Sequence, residues 1–269
     1  MSVMTDASPT RPHMISVGVS PYCELARWTM DRLGVAYTEE SHAPFFHRLA
    51  TKRHGGGAVV PVVDLGSSSL TDARQVVNHY ETVAPPQLAL FPTDPDERIE
   101  TRKLFDELFD VFGVAVRAWA YAYLLPQRRS TSRAWIDGAP RLERVVVPVV
   151  FPLLAMIVKR SLKLDANTVV RQRAIMDVTL GQVGERLGDG RRYLVGDRLG
   201  AADLALATLI APAVLPPEYT GPLPSMDELP AAMRREVEEI RAHPAGQFTL
   251  RLFSEERGLR HPQASPVVT

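Results

Sequence analysis

Hydrophobic positions along this chain change their period once. Met14 to Val19 is a short apolar run, and after Ser20-Pro21 the apolar residues Leu25, Trp28, Met30 and Leu33 recur at helical spacing, which predicts strand, tight turn and helix in that order. Gly34 is placed to end the helix, and Val35 to Glu39 reads as a second short strand. Ser41 to Val59 reads as a solvated, mobile loop. Val60-Pro61-Val62-Val63 then forms a strand with proline at its start, where a missing N–H is tolerated. After the turn Gly66 to Ser69, Leu70-Thr71-Asp72 leads into a helix with apolar positions Ala73, Val76, Val77 and Tyr80. Alternating strands and helices over residues 14–84 predict a small α/β domain.

Pro85, Pro86, Pro92 and Pro95 block helix propagation, so residues 85–95 read as a linker. Beyond it, over 96–257, the pattern is helical. Phe105, Leu108, Phe109, Phe112, Val116, Trp119 and Tyr123 step by three and four, an aromatic stripe that either packs in a core or in part receives an apolar ligand. The pocket candidates are Phe109, Phe112 and Trp119. Residues 127–163 stand apart as an insertion: basic residues bracket the apolar run Val145 to Val158, which holds Pro148 and Pro152. Such a segment suits either an anionic membrane surface, as a peripheral contact, or a buried kinked helix with solvated ends. Asn167 to Leu187 and Asp227 to Ala242 read as further helices, and Gln247 to Arg257 as a segment that packs back. Asp203 follows the cap position Gly200 and can reach back to the N–H groups at the start of its own helix, which Pro212 should halt. Residues 1–13 and 258–269 read as a flexible arm and tail.

Composition narrows the chemistry. The 31 basic and 31 acidic residues cancel and supply no overall field for nucleic acid, which is not expected as a partner. The single cysteine, Cys23, rules out an intramolecular disulfide and fits a reducing, cytoplasmic setting. His42, His47 and His54 lie close together, but no pair has helical ligand spacing and no carboxylate sits among them, so no metal is expected.

The chemistry concentrates at Ser20-Pro21-Tyr22-Cys23. Ser20 sits where a helix begins and Pro21 suits its first turn, so one hydroxyl and several free N–H groups, with the positive end of the helix dipole behind them, face one small volume. A thiolate would be stabilised there. Lowering a thiol pKa from about 8.5 by two units takes about 2.7 kcal/mol. A hydroxyl hydrogen bond to the sulfur supplies about 1.5–3 kcal/mol and a helix N-terminus about 0.3–1 more. Cys23, in the same first turn, is the rival catalytic group.

Taken together, Ser20 to Arg27, the dipeptide Val60-Pro61, the stretch Leu70 to Val76 and the Tyr193 to Asp203 stretch resemble, in order and spacing, the motifs of the glutathione transferase superfamily. The resemblance implies an α/β thioredoxin-like N-terminal domain followed by an all-α helical domain, a homodimer, and a serine-type mechanism. A small thiol, glutathione or another of low molecular weight, would be activated beside Ser20 and transferred to a hydrophobic electrophile. Alternatives are a thiol-dependent isomerase of an unsaturated or epoxide metabolite, or a non-catalytic ligand-binding or membrane-surface protein on the same scaffold. The resemblance places Tyr22, Val60, Pro61, Asp72 and Ala73 around the thiol cosubstrate, with Pro61 in a cis bond. Ala73 stands where the family usually has a serine, and Val59 where many members carry a polar side chain, so two carboxylate anchors are missing; Lys52, Arg53 or His54 could replace them.

Overall fold

A computed structural model describes residues 11–258. The N-terminal part is a four-stranded sheet in the order β2-β1-β3-β4, from β1 (His13–Ser16), β2 (Thr38–Ser41), β3 (Val62–Asp64) and β4 (Ser69–Leu70). β1 runs parallel to β2 and antiparallel to β3, with His13 opposite Thr38 on one side and Asp64 on the other. Helices α1 (Pro21–Arg32), α2 (His47–Arg53) and α3 (Ala73–Val83) complete this part. The stretch read as a mobile loop therefore contains a helix. It is also tied down: His42 and His47 are both 8% exposed, His42 held between Glu40 and Glu143 and His47 by its Nε2 at the Ala58 carbonyl, partners that sequence spacing cannot show. The strand expected at 35–39 begins three residues later, since Tyr37 is drawn into the core under α1. The arm read at 1–13 ends earlier than expected, as His13 already pairs in the sheet; residues 1–10, and nearly all of the 258–269 tail, lie outside the described residues.

The rest is helical: α4 (Pro95–Glu107), a π-helical turn (Leu108–Phe112), α5 (Gly113–Leu124), α6 (Arg128–Ile136), α7 (Arg141–Ser161), α8 (Thr168–Leu187), α9 (Ala201–Val214), α10 (Ala231–Ala242) and α11 (Pro244–Glu256). All 14 residues of α9 are buried, and α1, α4, α5, α10 and α11 pack around it. Pro212 does not halt α9. It lies inside the last turn, and the helix ends at Leu215, whose φ of 49° is left-handed. α10 ends at Ala242, and the segment expected to pack back from Gln247 begins three residues earlier: His243 Nδ1 accepts the Ala245 N–H at 3.2 Å and Pro244 opens α11.

The two parts share one core. Leu25 and Trp28 of α1 and Ala73 and Val77 of α3 belong to the same buried cluster as α9 and the aromatic stripe of α4–α5. Charges reinforce the junction. Glu24 of α1 is fully buried between Arg27 (3.2 Å) and Arg257 (2.8 Å), and Thr220 also donates to it. Burial would raise this carboxyl, but the two guanidinium charges hold it below the usual carboxylate range. Arg257 also meets Asp31 at 2.9 Å, so the end of α11 is fastened to the first and last turns of α1.

The 127–163 segment folds as α6 and α7. Val147, Phe151, Leu154 and Val158 of α7 pack with Trp135 and with Ala43 of the N-terminal part. Pro152 has no N–H for the carbonyl of Pro148, and Arg128 of α6 donates to that oxygen at 2.7 Å instead. The opposite face of α7 is open: Leu142, Val145, Val149 and Leu153 are all more than half exposed.

Candidate active site

A tight turn after β1 delivers Ser20 to the start of α1. The Ser20 N–H donates to Val17 C=O at 2.9 Å, and its hydroxyl oxygen accepts the Cys23 N–H at 3.4 Å as the helix N-cap. Ser20, Pro21 and Tyr22 line one side of a cavity of about 410 Å³.

The second wall comes from the segment between β2 and β3. The peptide bond between Val60 and Pro61 is cis. Val59 and Val60 line the cavity, Val59 with 57% of its surface open, while Pro61 is buried behind them. Pro44, Phe45, His47 and Arg48 line it next to them. Glu143 of α7 holds this stretch in place: its carboxylate accepts the Ala43 N–H at 2.7 Å and meets His42 Nδ1 at 2.6 Å. The insertion thus anchors a wall of the cavity.

The third wall is helical, and it is not the one expected. Phe112 and Trp119 are fully buried in the core, Trp119 donating its indole N–H to Glu236 at 2.7 Å. Phe109 packs edge-on to the Tyr22 ring and beneath the Arg74 guanidinium, 4.6 Å from its centroid. None of the three lines the cavity. Arg117, Ala120, Tyr121 and Leu124 do, together with Thr131, Ala134 and Trp135 of α6. Both faces of α5 are apolar, so periodicity finds the helix but cannot say which face looks across at α1. The steps 117, 120, 121 and 124 were the available signal, along with the one cation in an otherwise apolar stretch.

Of the expected thiol-site residues, Val60 borders the cavity directly and Pro61 backs it. Tyr22 contributes its ring, but its hydroxyl donates to Phe109 C=O at 3.0 Å, and burial raises its pKa, so the phenol is committed elsewhere. That bond needs Gly113, where a Cβ would lie 2.8 Å from the Tyr22 oxygen. Asp72 caps α3 by accepting the Gln75 N–H at 2.8 Å, and Ala73 is buried; neither lines the cavity. Lys52 points to solvent and His54 Nδ1 is held by Asp64 at 2.8 Å, both away from the cavity. In their place stand Arg48 and Arg117. Arg48 sits over the Phe45 ring at 5.2 Å, and Arg117 has its Nε buried with no hydrogen-bond partner. No carboxylate lines the cavity, so its field is positive.

Cys23, the rival, faces away from the cavity. It is fully buried in the core beneath the sheet, and burial pushes its thiol up to about 11, opposite to what a reactive thiolate needs. One turn of helix rotation separates it from Ser20: the cap residue faces out and the third residue faces in.

Residues 14–87 match the family model described as the glutathione S-transferase N-terminal domain. Among solved structures, the chain is similar to a glutathione S-transferase from Methylobacterium radiotolerans in complex with glutathione sulfonate, at 22% identity and a TM-score of 0.53, covering 90% of this chain and 95% of that one. It is similar to a glutathione S-transferase from Xanthobacter autotrophicus at 15% identity and a TM-score of 0.56, with 95% and 96% covered. The β-etherase LigF from Sphingobium gives 16% identity and a TM-score of 0.55, with 90% and 99% covered. No curated protein matches the chain by sequence. At these identities the structural likeness carries the fold.

Proposed function

Starting from a chain whose residues 14–87 match the glutathione S-transferase N-terminal domain model and whose described residues, 11–258, have the glutathione transferase fold, we propose a thiol transferase that uses glutathione and acts on an apolar electrophile. The observation that carries this is the placement of Ser20: its oxygen caps α1 and its side chain lines the cavity, where the hydroxyl can turn to a bound sulfur. The thiol proton leaves to solvent, the Ser20 hydroxyl and the start of α1 stabilise the thiolate, and its electron pair forms the new carbon–sulfur bond while the electrophile's leaving group departs with the broken bond's pair. Tyr121, Leu124 and Trp135 offer the electrophile an apolar wall. Glutathione carries carboxylates, and Arg48 and Arg117 are the cations placed to take them in the absence of a serine at 73 and a polar side chain at 59. That donor set supports glutathione over an uncharged thiol. The solved neighbours with glutathione or glutathione sulfonate bound support the same choice.

The test is conjugation of glutathione to an apolar aryl halide. Ser20→Ala, with unchanged circular dichroism, loses about ten- to a hundred-fold in rate, the equivalent of one hydrogen bond to a charged sulfur. Cys23→Ala leaves the rate within about two-fold, since a buried neutral thiol takes no part. Full activity in Ser20→Ala would remove the proposal.

A second reading concerns a surface rather than the cavity. The outer face of α7 presents Leu142, Val145, Val149 and Leu153 to solvent, with Arg141, Arg144, Lys159, Arg160 and Lys163 exposed near its two ends. Apolar side chains bracketed by cations suit an anionic lipid surface, so we propose peripheral membrane contact through α7. No described helix is long and apolar enough to cross a membrane.

A further inference from the structure

At the far end of β1 from Ser20, three potential ligands converge from three different elements. They are His13 at the start of β1, Glu40 in β2 and His54, the residue that closes α2; one ligand atom from each lies within 4.8 Å of the others. The sequence argument against a metal concerned His42, His47 and His54, and the fold disperses that set: His42 faces Glu143 and His47 faces Ala58. It assembles a different one.

We propose that His13, Glu40 and His54 form a binding site for one divalent transition ion of the zinc or cobalt type. The donor set, two imidazoles and one carboxylate, is that of an open three-ligand centre with further positions left to solvent. His13 Nε2 lies 3.4 Å from Glu40 Oε2. Two ligands at about 2.0–2.1 Å from a tetrahedral ion stand about 3.4 Å apart, so this edge is already set. The two imidazole rings are tilted against each other with centroids 5.0 Å apart, which puts His54 beside that edge.

What distinguishes the cluster from a chance meeting of surface histidines is that every ligand has an outer partner. His13 Nδ1 is 2.8 Å from Thr38 Oγ1. That hydroxyl gives its own hydrogen to Pro12 C=O, so it accepts from His13 and the lone pair falls on Nε2. His54 Nδ1 donates to Asp64 Oδ2 at 2.8 Å, leaving its Nε2 to bind, and Asp64 is itself fixed by the Gly66 N–H at 2.7 Å. Glu40 presents one oxygen to His13 and the other to His42 at 2.8 Å. Carboxylate or hydroxyl partners that set the tautomer of metal-binding histidines are the usual outer layer of such centres. Because His54 begins the segment that runs on to Val59 and Val60, an ion held here would brace the cavity wall from behind.

The experiment uses the full chain without an affinity tag, stripped with chelator and then dialysed. Titration with Zn²⁺ by calorimetry, and with Co²⁺ by visible absorption, is expected to show one ion per chain and a rise in Tm on binding. His54→Gln and His13→Gln each weaken binding by more than tenfold. Asp64→Asn, which touches no ion, weakens it by about tenfold through loss of orientation, while His79→Gln, remote from the cluster, leaves it unchanged. All three positions in the cluster are partly exposed, and circular dichroism verifies folding of each variant. No stoichiometric binding, or binding equal in wild type and His54→Gln, overturns the proposal.

Discussion

Asp203 accepts the Leu194 N–H at one oxygen and the Gly200 N–H at the other, both at 2.8 Å, from a position with 1% exposure. Burial outweighs those bonds and pushes its carboxyl up to about 7. In the unfolded chain an aspartate titrates near about 3.9. Between those values the folded chain holds a proton that the unfolded chain has released, so this group stabilises the fold at acid pH and the contribution is lost as pH rises toward 7. Urea unfolding at pH steps from 4.5 to 7.5 should therefore show wild type losing stability relative to Asp203→Asn, whose amide does not titrate. A difference between the two that does not change with pH would refute it. The link from Asp203 to Gly200 was legible from their spacing. The second acceptor role, toward Leu194 nine residues upstream, was not, because it depends on how the 193–200 loop folds over the helix start. Ser20 and Cys23 make the same point more sharply: three residues apart in one turn, one faces the cavity and the other the core.

Helix α7 shows how an element acquires two faces. Its inner row, Val147, Phe151, Leu154 and Val158, packs against Trp135, and Glu143 at its first turn holds the Ala43 backbone that leads into the cavity wall. Its outer row is apolar and uncovered. The sequence offered a membrane-surface segment and a buried kinked helix as alternatives; in the structure one face is buried and the other is apolar and exposed. If the outer row meets lipid, the chain co-sediments with vesicles containing anionic phospholipid at low ionic strength. Binding then falls as salt rises, and Val145→Glu with Val149→Glu abolishes it. No binding at low salt ends that reading. A dimer in sedimentation velocity that the same pair of substitutions dissociates would assign the face to a second copy instead. The π-helical turn between α4 and α5 is the other element-level feature. It brings the Phe109 carbonyl to the Tyr22 hydroxyl, and Gly113 beside it leaves the room.

At the scale of the molecule, the α/β and helical parts act as one body because the buried Glu24 joins them. Its partners Arg27, Arg257 and Thr220 come from α1, the end of α11 and the segment between α9 and α10, and Tyr219 donates to Val19 C=O at 3.2 Å across the same junction. Removing one side of such a buried arrangement leaves an underpaired charge. Arg257→Ala should cost about 3–5 kcal/mol in urea unfolding monitored by tryptophan fluorescence. A loss below about 1 kcal/mol would show that Arg27 alone suffices for Glu24.

The strand, turn and helix that open the chain, the Ser20 cap and the helical pattern beyond residue 96 follow from local facts: apolar period, cap residues, glycine and proline. Those facts act over a few neighbours and are present in the sequence itself. Which apolar face of α5 looks at the cavity, that Arg48 and Arg117 rather than Lys52 and His54 supply its positive charge, that Arg257 reaches Glu24, and that His13 meets His54 were decided only by the tertiary structure. Each depends on the rotation of one element against another distant in sequence. That rotation is set by the packing of the whole core, which no local pattern encodes.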